Sequence, residues 1–98
     1  MSQLRFEWDP AKDALNQRKH GISFDEATTV FSDEAALLID DPDHSVAEER
    51  FVLLGLSARW RVLLVVHCYR ADDAVIRVIS ARKADRQERA RYDQRWQL

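Results

Sequence analysis

The longest apolar stretch of the chain, RVLLVVHCYR at residues 61–70, places the strongest constraint on the fold. It is apolar at alternate and intervening positions alike, so a strand formed here must be covered on both faces. Apolar runs at 50–57 and 74–80 flank it through short links at 58–60 and 71–73. Links this short join antiparallel neighbours, because a parallel crossover needs a dozen or more residues. The sequence therefore predicts an antiparallel meander with 61–70 as a central strand.

Two helices are predicted before the meander. The first begins at Asp9-Pro10, because Asp accepts a hydrogen bond at the N-cap and proline loses none at the first helical position. Gly21 ends this helix as a left-handed cap. Ser23 and Glu26 have the spacing of a capping box, which opens the second helix.

Two short strands and a last helix complete the prediction. We expect strands at 6–9 and 36–40, and a helix opened by Asp85 with Glu88. No repeat, low-complexity segment or linker interrupts the 98 residues, so residues 1–98 are expected to form one domain. The predicted class is α+β, with two N-terminal helices packed on an antiparallel sheet and a C-terminal helix after it.

Charge is divided unevenly between the two halves of the chain. Residues 1–49 contain four Lys/Arg and twelve Asp/Glu, a net charge of −8, whereas residues 50–98 contain eleven and five, a net charge of +6. An asymmetry of this kind indicates a charged partner. The alternative is a solvated surface whose two signs attract each other within the fold.

Several function classes find no support in the sequence. The N-terminus has no apolar signal segment, and no run is long enough to span a bilayer, so we expect a soluble, cytoplasmic protein with no membrane partner. The single Cys68 favours a buried thiol in a reducing compartment over a nucleophile. Two glycines cannot build a phosphate loop, and no cofactor or metal is predicted. A loose divalent-ion site is less favoured than a solvated acidic loop for the residues Asp40, Asp41, Asp43 and His44.

Two polar residues lie within the apolar strands. Arg77 stands between apolar neighbours, and an unpaired buried charge is too costly, so it must pair with a carboxylate or face a groove. Both interpretations stay open. His67 shares a strand face with Leu63 and Val65, which favours a core or rim histidine over a catalytic one.

Basic residues cluster where the last strand meets the last helix. Arg82 and Lys83 are expected at the strand exit, followed on the helix by Arg86 and Arg89, with Tyr92 one turn further on. Arginine forks bind phosphate, and bases of single-stranded RNA stack on aromatic rings. These helical residues are therefore predicted to bind RNA, although solvated basic helices are common.

Four sequence blocks together resemble the BrnT family of toxins from bacterial type II toxin–antitoxin pairs. The resemblance covers nearly the whole chain, and the blocks follow one another in the family's order. They are FEWDPAKDALNQRKHGISFDEATTVF at 6–31, EERFVLLG at 48–55, LVVHCYR at 64–70 and IRVISARKADRQERARY at 76–92.

The resemblance implies a fold, an activity and a partner. It implies a RelE-like ribonuclease domain, in which two N-terminal helices pack on a curved antiparallel sheet followed by a C-terminal helix. It also implies RNA cleavage that halts translation, and neutralisation by a BrnA-like ribbon-helix-helix antitoxin. The pair would reach operator DNA only through the antitoxin and would repress its own operon, and a toxin–antitoxin heterotetramer is one assembly that this allows.

RNA cleavage by this route needs no metal ion. RNA supplies its own nucleophile, the 2′-OH, so the protein must provide a base, cations for the phosphorane charge, and an acid for the 5′ oxygen. Proton transfer could fall to Glu49, His67, His20 or Tyr92, and the sequence does not choose among them. The residues predicted to be catalytic are Lys19, His20, Glu49, Arg50, Arg77, Arg82 and Lys83.

Two other functions remain open at this stage. The basic strand–helix edge could grip RNA or DNA without cutting it, as a non-catalytic binding module. It could equally dock an acidic protein partner.

Overall fold

The elements of the fold follow the predicted order. The computed structural model describes residues 4–39 and 49–95. A short 3₁₀ turn joins the second helix to the second strand. The elements are β1 (Arg5–Glu7), α1 (Pro10–His20), α2 (Phe24–Thr29), the 3₁₀ turn (Val30–Ser32), β2 (Leu37–Ile39), β3 (Phe51–Leu56), β4 (Val62–Arg70), β5 (Val75–Lys83) and α3 (Arg86–Gln94). The α+β class is confirmed.

The five strands form one mixed sheet in the order β1-β5-β4-β3-β2. The antiparallel pairs β3–β4 and β4–β5 confirm the meander, with β4 in the centre. The prediction of a wholly antiparallel sheet is wrong, because β1 pairs in parallel with β5 and sets Glu7 opposite Arg77. The chain between β1 and β5 is long enough for a parallel connection, and no local sequence pattern predicts that these two strands pair.

β5 runs to Lys83, beyond the predicted end at residue 80. Eight of the nine residues of β4 pair with it, so that Leu64 lies opposite Arg82 and Leu63 opposite Lys83. The predicted strand exit at Arg82 and Lys83 is therefore the last part of the strand itself.

A β-bulge interrupts β5. The register shifts between Val66 and His67 of β4, and Ile79 has no partner opposite it. One extra residue reverses the alternation of side chains beyond it. For this reason Val78 and Ala81 both enter the same core cluster, although they are three residues apart.

The sheet has a core on each face. We call the side on which α1 and α2 pack the helix-pair face, and the opposite side the α3 face. The helix-pair core contains Ile22, Phe24, Ala27, Val30, Leu63, Val65, Val78 and Ala81. The core of the α3 face contains Val52, Leu54, Val62, Leu64 and Tyr92.

The helix caps follow the sequence closely. The Asp9 carboxylate accepts a hydrogen bond from the Ala11 N–H at 2.9 Å, and Gly21 closes α1 at a φ of 71°. Ser23 Oγ accepts the Glu26 N–H at 3.0 Å, but the Glu26 side chain bonds elsewhere. The predicted capping box of α2 is thus only half formed.

Asn16 ties α1 to the edge of β5. β1 pairs only with residues 75–77 of β5. Further along, Asn16 Nδ2 donates to the carbonyl of Ala81 at 2.8 Å, and Asn16 Oδ1 accepts its N–H at 3.2 Å. The amide thus takes the place of a neighbouring strand, since a strand edge leaves backbone groups to be paired. This contact sets the last turn of α1 beside β5.

A candidate nucleic-acid interface on the sheet

Three arginines project from the α3 face along β4 and β5. Arg82 lies opposite Leu64 of the α3-face core, and Arg77 lies opposite Cys68, four residues along β4 from Leu64. Arg70 follows two residues after Cys68 and therefore points to the same side. The side chains of Arg70, Arg77 and Arg82 are 58%, 32% and 36% exposed. This face therefore presents guanidinium groups that solvent, or a ligand, can reach.

Glu7 lies between two of these arginines. Its Oε2 is 2.5 Å from Arg77 Nη1 and 3.5 Å from Arg70 Nε. The Glu7 side chain is 38% exposed, so the group is accessible. A guanidinium has five N–H donors, and each arginine keeps donors for an incoming anion. Arg77 does pair with a carboxylate, which was one of the two interpretations of its sequence context, and the partner on β1 was not foreseen.

The Arg82 guanidinium is hydrogen-bonded to α3. Its Nη1 and Nη2 donate to Glu88 Oε1 and Oε2 at 2.8 and 2.9 Å. Glu88 also accepts the Asp85 N–H at 2.8 Å, which completes the predicted capping box of α3. The hydrogen bond from Arg82 lowers the pKa of Glu88 below its usual value. Arg82 therefore fixes the start of α3 against β5, and its catalytic role stays a prediction.

Lys83 lies on the other side of the sheet from Arg82. Its partner in β4 is Leu63, which belongs to the helix-pair core. Successive residues of a strand point to opposite faces, so the two neighbours diverge. Arg82 and Lys83 therefore do not form one basic cluster at the end of the strand, as the sequence suggested.

Lys19 and His20 lie beside the bulge of β5. They occupy the last turn of α1, which Asn16 anchors to that edge. A cavity of about 240 Å³ separates helix and strand, and Ser80 on its strand side lies opposite Val66. The cavity is lined by Lys12, Leu15, Asn16, Lys19, His20, Ile79 and Ser80. The structure thus brings these two predicted residues to the edge of the sheet next to β5.

Glu49 and Arg50 are located at the end of the sheet where β3 begins. Glu49 is exposed and lines a cavity of about 350 Å³ with Phe51, Tyr69 and Asp73. Arg50 is half-buried and directly precedes β3. The catalytic roles of both residues stay predictions.

His67 is a core histidine, as its strand position favoured. It is fully buried, with its ring 4.8 Å from Phe31 and 5.5 Å from Tyr69 between centroids. Its Nδ1 lies 3.3 Å from the carbonyl of Val65. Burial lowers the pKa of His67, so its ring is neutral at physiological pH. The buried ring faces the helix-pair side, whereas the arginines project from the α3 face, so it is unsuited to proton transfer with RNA bound there.

Tyr92 packs α3 against the sheet. It is buried, its hydroxyl donates to Asp33 Oδ2 at 2.5 Å, and the Arg95 guanidinium lies 3.7 Å over its ring. Burial and the bond to Asp33 raise the pKa of Tyr92 to about 12. A covered ring offers no surface to a base, so its predicted RNA contact is unsupported. Arg86 and Arg89 are exposed on α3, and their RNA contacts stay predictions.

Glu7 and Arg70 are the principal site residues that sequence reasoning missed. Alternation with the core residue Phe6 places Glu7 on the α3 face, and this signal was available in the sequence. What the sequence lacked was the pairing partner of β1. Cys68 is half-buried rather than buried. The acidic candidates at 40–44 lie outside the described residues, and within 4–39 and 49–95 no group of three metal-ligating side chains occurs.

Fold and site together define a small α+β protein with an accessible carboxylate between arginines on one face of its sheet. A family model described as the ribonuclease toxin BrnT of type II toxin–antitoxin systems matches residues 8–88, and the chain belongs to this family. The crystal structure of the Brucella abortus ribonuclease toxin BrnT has the same fold. It matches with a TM-score of 0.65 and 20% identity, over 86% of this chain and 100% of that one.

Two further findings concern related sequences and membrane-spanning segments. No curated protein sequence matches the chain significantly. In the part of the chain that the structure describes, no helix is long and apolar enough to cross a bilayer.

Proposed function

We propose that this protein is an endoribonuclease toxin that cleaves RNA on the α3 face, with Glu7, Arg70 and Arg77 at the centre of the site. The observation that carries the proposal is the exposed Glu7 carboxylate held between two guanidinium groups. Membership of a ribonuclease toxin family supports RNA as the substrate. A further carboxylate–arginine pair of this face, Glu88 with Arg82, is engaged in fixing α3, and its carboxylate is less accessible, at 16% exposed.

The proposed reaction begins with the 2′-OH of the RNA. Glu7 accepts its proton, and the 2′ oxygen attacks the adjacent phosphorus. Arg70 and Arg77 donate N–H groups to the non-bridging oxygens, where negative charge grows in the transition state. The bond from phosphorus to the 5′ oxygen breaks, which leaves a 2′,3′-cyclic phosphate on one fragment and a 5′-OH on the other.

The leaving 5′ oxygen needs a proton. Lys19 and His20 are candidates, because α1 sets them at the edge of β5 beside the bulge, with Ser80 across the cavity. Histidine is the side chain that most often serves as a general acid in enzymes, which would suit His20 to this task. The geometry supports a donor at this edge without choosing between the two residues.

The toxin would act together with an antitoxin. We expect expression of the chain alone to halt translation and growth, and co-expression of a ribbon-helix-helix antitoxin to restore growth. The toxin-binding segment of that antitoxin should be acidic and cover the arginines of the α3 face. The complex, as a heterotetramer, would bind operator DNA through the antitoxin and repress its own operon.

A matched pair of variants tests the proposed site. Glu7→Gln removes the carboxylate between the arginines, whereas Glu34→Gln removes one from an exposed loop. With purified protein and labelled RNA, we expect Glu7→Gln to slow cleavage about 10²–10⁴-fold, the usual contribution of a general base. Glu34→Gln should cleave at the wild-type rate.

The same assay decides among the functions that remain open. Wild-type cleavage by Glu7→Gln would remove this carboxylate from the mechanism. A salt-dependent mobility shift of RNA without cleavage by the wild type would favour a binding module. Absence of both would favour a protein-docking role for the basic face.

A further inference from the structure

Trp60 is the most exposed of the large apolar residues that the structure describes. Its side chain is 82% exposed at the tip of the β3–β4 hairpin. The backbone there has a φ of 63°, in the left-handed region. The Trp60 N–H bonds to the Ser57 carbonyl at 3.0 Å, and the Ser57 N–H bonds to the Arg61 carbonyl at 2.8 Å. The ring is therefore presented to solvent by a closed, hydrogen-bonded turn.

The turn itself does not call for tryptophan. Three-residue hairpin loops commonly end in a left-handed residue, and glycine or asparagine occupies that position with the least strain. A tryptophan here carries both backbone strain and an unburied indole. Strained backbone positions that persist in a structure cluster at active sites and ligand-binding segments. The indole is thus better explained by something it contacts than by the fold.

Exposed cations surround this end of the sheet. Arg59 precedes Trp60 in the same turn and is exposed. Lys83 at the end of β5 pairs with the start of β4, and it is exposed as well. The Ala84 N–H bonds to the Val62 carbonyl at 2.9 Å, which brings the start of α3 and its exposed Arg86 to the same end.

We propose that Trp60 is a stacking platform for a base of single-stranded RNA, outside the cleavage site, with Arg59 and Lys83 binding the flanking phosphates. An aromatic ring among cations is the arrangement that holds single strands with little sequence preference. The proposal rests on the proposed function, because it assumes that RNA is the ligand. It also gives Lys83 a role that does not require contact with Arg77.

The platform lies apart from Glu7 and Arg77. Residues 77 and 83 are about 20 Å apart along β5, at about 3.3 Å per residue. A long RNA reaches both places at once, whereas a dinucleotide at Arg77 does not extend to Trp60. The contribution of Trp60 should therefore depend on the length of the RNA.

The test compares Trp60→Asn with Leu38→Thr. Asparagine fits the left-handed backbone, so Trp60→Asn should melt at or above the wild-type temperature. Leu38 is another exposed apolar residue, 62% exposed on the edge strand β2, and serves as the control. The probe is a 2′-O-methyl RNA long enough to span β5, which binds without being cleaved.

We expect Trp60→Asn to weaken binding of the long RNA about 5- to 100-fold, the usual range for losing one stacked base. Trp60→Tyr should lose less, because it keeps an aromatic face. Cleavage of a dinucleotide should be unchanged in both variants, and Leu38→Thr should bind as wild type.

Three outcomes would overturn the inference or separate it from the proposed function. Wild-type binding of long RNA by Trp60→Asn, with cleavage intact in the wild type, refutes the stacking role alone. Weaker antitoxin binding without weaker RNA binding shows instead a protein-docking residue. If the wild type binds RNA through Trp60 but cleaves none, the stacking role holds and the ribonuclease mechanism fails.

Discussion

Glu7 and Arg77 are 70 residues apart in sequence, yet their side chains meet at 2.5 Å across the parallel pair of β1 and β5. Strand register alone brings them together, because each is the other's partner in the ladder. The pair is half-exposed, at 38% and 32%. A ligand can therefore reach the pair, and the pair stabilises the fold less than a buried ion pair would.

Arg77→Ala should separate activity from stability. An ion pair this exposed contributes about 1 kcal/mol or less, whereas breaking a fully buried pair costs about 3–5 kcal/mol. Loss of a donor to the transition state should slow cleavage about 10²–10³-fold. Urea unfolding beside an RNA cleavage assay measures both, with Arg91→Ala on the exposed side of α3 as the control. A loss of several kcal/mol would mean that Arg77 chiefly supports the fold.

Arg82→Ala and Lys83→Ala should differ although the residues are adjacent. Arg82 makes two hydrogen bonds to Glu88, so its loss should cost about 1–2 kcal/mol of unfolding free energy. Lys83→Ala should stay within about 0.5 kcal/mol, as surface substitutions do. A double-mutant cycle of Arg82→Ala with Glu88→Ala isolates the pair. Additive effects in that cycle would show that the bidentate contact contributes nothing measurable.

Glu26 should make stability depend on acid pH. Burial alone would raise the pKa of Glu26, but hydrogen bonds from Arg61 and Ser57 outweigh it and hold the pKa below the usual 4.5. A carboxylate whose pKa is lower in the folded than in the unfolded state stabilises the protein at pH values above its unfolded-state pKa. This stabilisation is lost as the pH falls through its folded-state pKa.

Glu26→Gln is the variant that tests this contribution. It leaves the partly exposed Arg61 guanidinium without its carboxylate, so we expect a loss of about 1–3 kcal/mol near neutral pH. Its stability should also fall less steeply than that of the wild type between neutral pH and the acid side of 4.5. Parallel curves for the two proteins would assign the acid sensitivity to other carboxylates.

Tyr92→Phe should weaken the attachment of α3. The hydroxyl bond to Asp33 is lost, and because Asp33 is a charged acceptor the cost should be about 1–3 kcal/mol. The raised pKa predicts that this contribution is present below pH 10 and lost as the pH rises from 10 towards about 12. Phenolate absorbance is followed against pH in the wild type and in Tyr92→Phe. The difference between the two titration curves gives the pKa of Tyr92. A difference signal near pH 10 would show that the bond is broken in solution.

Cleavage should proceed without a metal ion. The proposed site supplies a base and cations from its own side chains, and the RNA supplies the nucleophile. Activity in excess chelator should equal that in buffer, and the product should carry a 2′,3′-cyclic phosphate or its hydrolysis product. Loss of activity in chelator with recovery in magnesium would require a different mechanism.

Local patterns were sufficient to predict the meander, the central β4 and the caps of α1 and α3. Each depends on residues a few positions apart: Asp9 with Ala11, Gly21 at the end of α1, and Asp85 with Glu88. The sequence also predicted that Arg77 needs a partner, because a charge between apolar neighbours must be neutralised. These features are decided by hydrogen bonds and burial within one element or one hairpin.

Only the tertiary structure decided which residues form the candidate site. The parallel pairing of β1 with β5 and the bond between Asn16 and Ala81 join positions far apart in the chain. The bulge at Ile79 is set by how β5 pairs with β4. The bulge reverses side-chain alternation in β5, so reading parity along the sequence could not place Arg82 and Lys83 on their faces. The site lies where strand register, rather than sequence spacing, sets a carboxylate beside arginines, and register is fixed by the packing of the whole sheet.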